Sequence, residues 1–198
     1  AVLQRTGQQR LRFDSDAGRV FADGELALDF SSIAKGYGVD LVAEWLSAQR
    51  ITDFLVEVGG EMRVAGHSPR GDRWRIAIEQ PDDSMGGVAR ALSLSDTAVA
   101  TSGDYRNYFE LDGRRYSHSI DARTGYPVTH DVVSVTVIDP SAMLADAWAT
   151  ALTVLGDDAE RVAQEQGLAV YFIRRDGSAL RSSHTPAFAR YLEHSGEQ

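Results

Sequence analysis

Three segments carry residue types at spacings that suit chemistry. The first is Leu26-Ala27-Leu28-Asp29-Phe30-Ser31-Ser32-Ile33-Ala34-Lys35-Gly36-Tyr37-Gly38. It reads as a strand, a short polar turn and the start of a helix. Free backbone N–H groups and the positive end of the helix dipole then face one point, which suits an anionic group such as a phosphate. Gly36 and Gly38 fall in the first helical turns, where each costs about 1 kcal/mol relative to Ala, so something approaches the backbone closely. Lys35 is the only lysine in the chain and would add a charge beside that point. The competing reading is that the glycines admit a neighbouring strand and Lys35 is solvated.

The second segment is Ala145-Asp146-Ala147-Trp148-Ala149-Thr150. Asp146 and Thr150 are four apart on a helix and share a face, pointing away from Leu144, Trp148 and Leu155. That face carries Ala, Asp and Thr where a solvent face would carry Glu, Lys or Arg, so it reads as covered. An Asp on a covered face needs a cation or hydrogen-bond donors. Carboxylate plus hydroxyl oxygen suits a hard ion such as Mg²⁺; bonding to the amides of a neighbouring loop is the alternative.

The third is Arg115-Tyr116-Ser117-His118-Ser119-Ile120-Asp121-Ala122-Arg123-Thr124-Gly125-Tyr126-Pro127, a strand running into a Gly/Pro turn. His118 and Ile120 share a strand face. A histidine can move a proton near neutral pH, although a lone one more often makes a structural hydrogen bond. Ala98 to Tyr105 is a strand entering a small polar turn, equally suited to line a ligand or to be a tight turn. His67, His130, His184 and His194 are scattered in loops or the tail and carry no reading.

The elements that must position these residues follow from pattern. Phe13, Arg19–Phe21 and Leu26–Phe30 begin or form short strands. Phe54–Val58, Gly59-Gly60 and Glu61–Val64 make a hairpin, the glycines supplying positive φ. Trp74, Ile76 and Ile78 alternate with polar or small residues in a half-buried strand. Tyr108–Leu111 and Arg114–Ile120 flank an Asp-Gly turn, as do Ala169–Arg174 and Ala179–Ser183. Val132–Ile138 is a strongly β-branched strand. A helix from Ile33 to Ala48 has an apolar stripe of Ile33, Tyr37, Leu41 and Trp45, with Ser31 or Ser32 as N-cap. A second runs from Pro140 to Leu155, with Asp139 as N-cap, Pro140 at the first helical position, Gly156 past the end, and Leu144, Trp148, Ala151 and Leu155 as its apolar face. A third covers Ala159–Gln166. Antiparallel hairpins with a few helices define an α+β fold rather than a doubly wound sheet.

Composition sets the bounds. At 198 residues the chain forms a single domain with a real core. Its net charge of −9 disfavours nucleic acid as the main partner. It has no cysteine, which excludes disulfides, thiolate catalysis and zinc–thiolate sites. No stretch of apolar residues is long enough to be a transmembrane segment. The start lacks an initiator Met and a signal peptide's apolar core, and is read as that of a processed or excised piece. Residues 191–198 read as a flexible tail.

Taken in order, Asp29–Tyr37, Val58-Gly59-Gly60-Glu61, Ala100–Tyr105, Tyr116–Asp121 with Thr124-Gly125 and Pro127, and Ala145–Thr150 resemble the motifs of the ApbE family, flavin transferases that use FAD as donor. Five motifs in the right order cover Leu26 to Leu155. The resemblance implies an ApbE-like (T-fold-type) sandwich. It also implies a Mg²⁺-dependent transfer of FMN from FAD to a Thr or Ser hydroxyl of a target flavoprotein, with release of AMP. By motif match, Asp146 and Thr150 hold the metal with the backbone carbonyl of Ser32. Asp29, Lys35 and Ile120 contact FAD, and His118 carries the proton. Glu61 and Asp121 are structural or supporting candidates. FAD pyrophosphatase activity and a flavin-binding module without turnover are the alternatives. The resemblance implies action outside the cytoplasmic membrane, although no export signal and no lipid-bearing cysteine are read in the given residues. Two departures are local: Ala122 stands where proline is usual, and Ser119 replaces an apolar residue, a change that widens the site. The third is length, since the family has a longer N-terminal part that carries some of the flavin pocket.

Overall fold

The computed structural model describes residues 7–81, 87–103, 108–111, 114–117 and 119–192. In chain order the elements are β1 (Leu11–Asp14), β2 (Arg19–Ala22), α1 (Ala34–Ala48), β3 (Phe54–Val58), β4 (Glu61–Ala65), β5 (Trp74–Glu79), β6 (Val88–Leu94) and β7 (Thr97–Gly103). They continue with β8 (Tyr108–Leu111), β9 (Arg114–Ser117), β10 (Ile120–Asp121), β11 (Tyr126–Pro127), β12 (Val132–Asp139), α2 (Ala142–Leu155), α3 (Ala159–Glu165), β13 (Ala169–Asp176) and β14 (Ala179–His184). A 3₁₀ helix, Pro186–Tyr191, follows.

Six strands form one antiparallel sheet in the order β14-β13-β12-β7-β4-β3. Helices cover one face: Val135, Val137, Val170 and Phe172 pack with Ala145, Ala149 and Leu152 of α2 and with Ala159 and Ala163 of α3. Phe54, Val56 and Ala98 pack with Val39 and Ala43 of α1. The β5–β6 hairpin and the 3₁₀ helix supply Ile76, Ile78, Leu92, Leu94 and Phe188 to a second core with Val64, Val99, Ile138, Tyr171 and Ile173. Strand β12 is therefore buried on both faces, which explains its nearly unbroken β-branched run. The fold is α+β, as the hairpin pattern predicts. Tyr191 and Leu192, at the expected start of the tail, pack against this second core. No helix among the described residues is long and apolar enough to cross a membrane.

Several local expectations are corrected. Leu26–Phe30 forms no strand, and Leu28 and Phe30 are exposed; the β1–β2 ladder closes at Leu11 opposite Ala22 and leaves that run no partner. Arg114–Ile120 is not one strand. β9 pairs with β8, and β10 pairs separately with β11 around a turn in which the Asp121 carboxylate accepts the Arg123 amide at 2.8 Å and holds its guanidinium. The Asp-Gly turn at 112–113 lies outside the described residues.

The helix faces also differ from the expected stripes. The stripe Tyr37, Leu41 and Trp45 faces outward, with Trp45 61% exposed, while α1 buries Gly36, Val39, Asp40 and Ala43. On α2 the fully buried positions are Ala142, Ala145, Asp146, Ala149, Leu152 and Thr153; of the expected face, Leu144 and Ala151 are exposed, while Trp148 and Leu155 are half-buried against the core. The reason is the closeness of α1 to α2. A Cβ on Gly36 would stand 2.2 Å from the Ala142 carbonyl oxygen and 2.8 Å from Met143 Cα. Helices that approach this closely meet through small residues, so the bulky apolar ones are displaced outward.

Candidate functional site

The site begins at the two helix N-termini. Neither Ser31 nor Ser32 caps α1; the N-cap is Ile33, without a side-chain bond. The Asp29 carboxylate draws Ser31 backward, accepting its amide at 2.7 Å and its hydroxyl, as Asx turns do. These two bonds hold the exposed Asp29 carboxyl below its ordinary range. The Ile33 and Ala34 amides go to the Phe30 carbonyl. Helix α2 is capped by Ser141, not Asp139, and Pro140 stands one residue ahead of the cap. The Asp139 carboxylate instead accepts the Ser141 amide at 2.9 Å.

Asp40 ties the two helices together. Its carboxylate accepts the amides of Ala142 and Met143 at 3.0 Å each, the Ser141 hydroxyl at 2.7 Å and the Arg63 guanidinium at 2.7 Å. Burial pushes this carboxyl up, but the four donors outweigh it and hold it below its ordinary range.

One turn further along α2, Asp146 is 4% exposed and accepts the Gly36 amide at 3.0 Å through Oδ2. One amide expected to greet an anion at the start of α1 is thus taken by a carboxylate. Burial pushes the Asp146 carboxyl above its ordinary range, against the Gly36 amide and the Lys35 charge. Across the cavity, the Lys35 ammonium donates to Glu61 Oε1 at 2.6 Å. Glu61 is 2% exposed, and its second oxygen, Oε2, is buried without a hydrogen-bond partner. Burial raises this carboxyl too, only partly offset by Lys35.

These groups line a cavity of about 870 Å³, a size that suits an organic ligand. Ser31, Ser32 and Lys35 come from the turn into α1, and Glu57, Gly59, Gly60, Glu61 and Met62 from the β3–β4 turn. Residues 76–79 come from β5, Val99, Thr101, Ser102 and Gly103 from β7, Ser119 and Ile120 from the β10 region, and Thr136 from β12. Helix α2 gives Asp146, Thr150 and Val154. Gly59 and Gly60, at φ 62° and 101°, make the expected tight turn. Thr101 and Thr136 are cross-strand partners with hydroxyls 2.8 Å apart.

The cavity gathers Ser32, Lys35, Ile120, Asp146 and Thr150 from three separate segments. Asp29 is not in its wall and stands behind Ser31. His118, Asp104 and Tyr105 lie outside the described residues. Thr101, Ser102 and Gly103 belong to the segment read as able to line a ligand, whereas Thr136 and Glu57 stand in the wall without having been singled out from the sequence. For Thr136 the signal was present: Ser134 and Thr136 alternate with valines in a strand otherwise made to be buried.

No group of three or more His, Cys, Asp or Glu placed to hold a metal occurs among the described residues. The donor set in the wall is one buried carboxylate, with Oδ2 taken by the Gly36 amide, and a hydroxyl one helical turn on. Oxygen donors with a single charge fit a hard cation that completes its shell with waters and ligand phosphate.

An α+β domain with a ligand-sized polar cavity between the start of α1, one face of α2 and the sheet defines the class, and sequence comparison narrows it. The ApbE family model matches residues 1–172, and the chain belongs to the ApbE family. It is 42% identical over 196 residues to the FAD:protein FMN transferase of Klebsiella pneumoniae (strain 342), covering 97% of this chain and 56% of that protein. It is 46% identical over 169 residues to the protein of that name from Vibrio cholerae, covering 85% of this chain and 51% of the relative. The apo crystal structure of Pseudomonas stutzeri flavinyl transferase ApbE superposes with a TM-score of 0.85 at 42% identity, covering 98% of this chain and 60% of that one. Flavin transferase ApbE from Vibrio cholerae gives 0.86 at 41%, covering 96% and 60%. The chain spans about half the length of the curated relatives it matches.

Proposed function

We propose that this chain carries the metal-and-diphosphate end of an FAD:protein FMN transferase, and that FMN passes from FAD to a Thr or Ser hydroxyl of an acceptor flavoprotein with release of AMP. The observation that carries the reading is the charge of the cavity. Four carboxylates, Glu57, Glu61, Glu79 and Asp146, line it, and Lys35 is the one cationic side chain among its described lining residues. A diphosphate ligand enters such a site only with a cation that reverses the local sign. The Asp146 carboxylate, the Thr150 hydroxyl and the Ser32 carbonyl would hold Mg²⁺, which when bound supplies Lewis-acid stabilisation of charge on the transferring phosphoryl group.

The chain's own groups then divide the remaining work. Lys35 holds a diphosphate oxygen by charge, while Ile120, half exposed in the wall, gives apolar contact to the nucleotide. Asp29 acts from behind, fixing the Ser31-Ser32 turn. His118 takes the proton of the attacking hydroxyl. The hydroxyl oxygen forms a new P–O bond to the FMN phosphorus, the bridging P–O bond of the diphosphate breaks, and AMP leaves with the electron pair. Positioning and charge neutralisation are the main demands of such a transfer.

The test is liquid chromatography with mass detection of FAD incubated with the protein, an acceptor peptide bearing a Thr, and either Mg²⁺ or EDTA. Transfer predicts AMP and a peptide carrying FMN, both dependent on Mg²⁺. Free FMN without peptide adduct identifies hydrolysis, and unchanged FAD identifies binding without turnover.

A further inference from the structure

Glu61 and Asp40 are both buried carboxylates, yet they are held in opposite ways. Asp40 is bonded by four donors from two other elements, as expected of a group that holds a fold together. Glu61, at 2% exposure, has one side-chain donor, the Lys35 ammonium, and an orphaned Oε2. A buried carboxylate so poorly satisfied gains the fold little. Lys35 is the opposite case: 46% exposed, on a flexible stem, it would sweep freely if unpaired. A second device restrains the same side chain. The β3–β4 turn passes so close to the Lys35 stem that a Cβ on Gly59 would stand 3.2 Å from Lys35 Cδ.

Resting on the flavin-nucleotide reading above, we propose that Glu61 is a positioning residue. With the Gly59 turn it clamps the Lys35 ammonium at one point of the cavity, where it meets an anionic oxygen of the nucleotide. Without Glu61 the lysine keeps its charge and loses its place. Fixing a cation before the ligand arrives removes an ordering cost from binding.

The test uses E61A, E61Q, K35M and the K35M/E61A double variant. Because Lys35 is the only lysine, protein labelled with isotopic lysine gives a single side-chain ammonium resonance. In wild type that resonance is expected to be displaced from the free-lysine position, and E61A returns it there. E61Q, which keeps an acceptor oxygen, restores an intermediate displacement. FAD affinity, measured by calorimetry with Mg²⁺, is expected to fall about tenfold in E61A, the factor of one charge-assisted contact. It should fall no further when E61A is added to K35M. The melting midpoint of E61A stays at or above that of wild type, which a structural carboxylate would not allow.

A wild-type ammonium already at the free-lysine position, unaltered FAD affinity in E61A, or equal losses from E61A with and without Lys35 would each overturn the positioning role. Wild-type protein with a displaced ammonium that binds no FAD would instead refute the flavin reading on which the role rests.

Discussion

Gly36→Ala should unfold more easily even though alanine is the better helix former. The substitution gains about 1 kcal/mol of helix propensity. Against that, the new Cβ meets backbone atoms, 2.2 Å from the Ala142 oxygen and 2.8 Å from Met143 Cα, and neither can rotate aside as a side chain would. Overpacking of a tight contact costs about 1–3 kcal/mol. Forcing α1 away from α2 also stretches the 3.0 Å bond from the Gly36 amide to Asp146, a charged hydrogen bond worth about 1.5–3 kcal/mol. The net loss is about 1.5–5 kcal/mol, which for a chain of this size lowers the melting midpoint by roughly 3–20 °C. Gly38→Ala is the control, because nothing lies within 4 Å of its Cβ; it should gain up to about 1 kcal/mol. Calorimetric melting of both variants decides the matter. A G36A protein as stable as wild type, or G36A and G38A shifting in the same direction, refutes the close contact and with it the geometry that presents Asp146.

Other perturbations read different parts of the structure. Asp40→Asn should cost about 2–4 kcal/mol, because it weakens four donors at the start of α2. Since the folded Asp40 carboxyl lies below its ordinary value, its contribution is complete above about pH 4 and is lost as pH falls through the lower folded value. Urea titrations should therefore converge for wild type and D40N in acid; parallel curves contradict this. Asp146 has the opposite sign. Its raised carboxyl opposes folding as pH rises through its folded value, so cation-free D146N should melt at or above wild type at pH 7, while Mg²⁺ raises the midpoint of wild type alone. A Mg²⁺ shift that survives in D146N places the cation elsewhere. Trp45→Gln, on the exposed face of α1, should change stability by no more than about 0.5 kcal/mol. Ala149→Leu, in the buried seam, should cost about 1–3 kcal/mol; a larger loss at Trp45 would reverse the helix faces.

The sequence was most legible where local chemistry decides the structure. The Gly59-Gly60 turn, the alternation in β5, the unbroken run of β12 and the Gly156 stop after α2 all follow from backbone conformations or face burial that a few residues dictate. It misled where two distant elements meet. Tyr37, Leu41 and Trp45 form a better apolar stripe than Gly36, Val39 and Ala43, and nothing local reveals that α2 approaches too closely for bulk. Likewise Ser31 and Ser32 look like N-caps until Asp29 is seen to hold Ser31, and Asp139-Pro140 looks like a helix start until Asp40, about a hundred residues earlier in sequence, is found bonded to the amides that follow. Asp146 and Thr150 were legible as a covered polar pair on a helix. What meets Asp146 was not, because the Gly36 amide and Lys35 arrive from far earlier in the chain. Glu61 was visible only as an acid after a glycine pair; its isolation with Lys35 needed the packed structure.

The central claim is that Asp146, Thr150 and Lys35 share one cation-and-diphosphate site. Crystals grown with FAD and Mn²⁺ test it through the anomalous signal of the metal. The account predicts a peak within coordinating reach of the Asp146 carboxylate and the Thr150 hydroxyl, with the FAD diphosphate in the same cavity as the Lys35 ammonium. A metal bound away from α2, or a diphosphate lying outside the cavity, contradicts it.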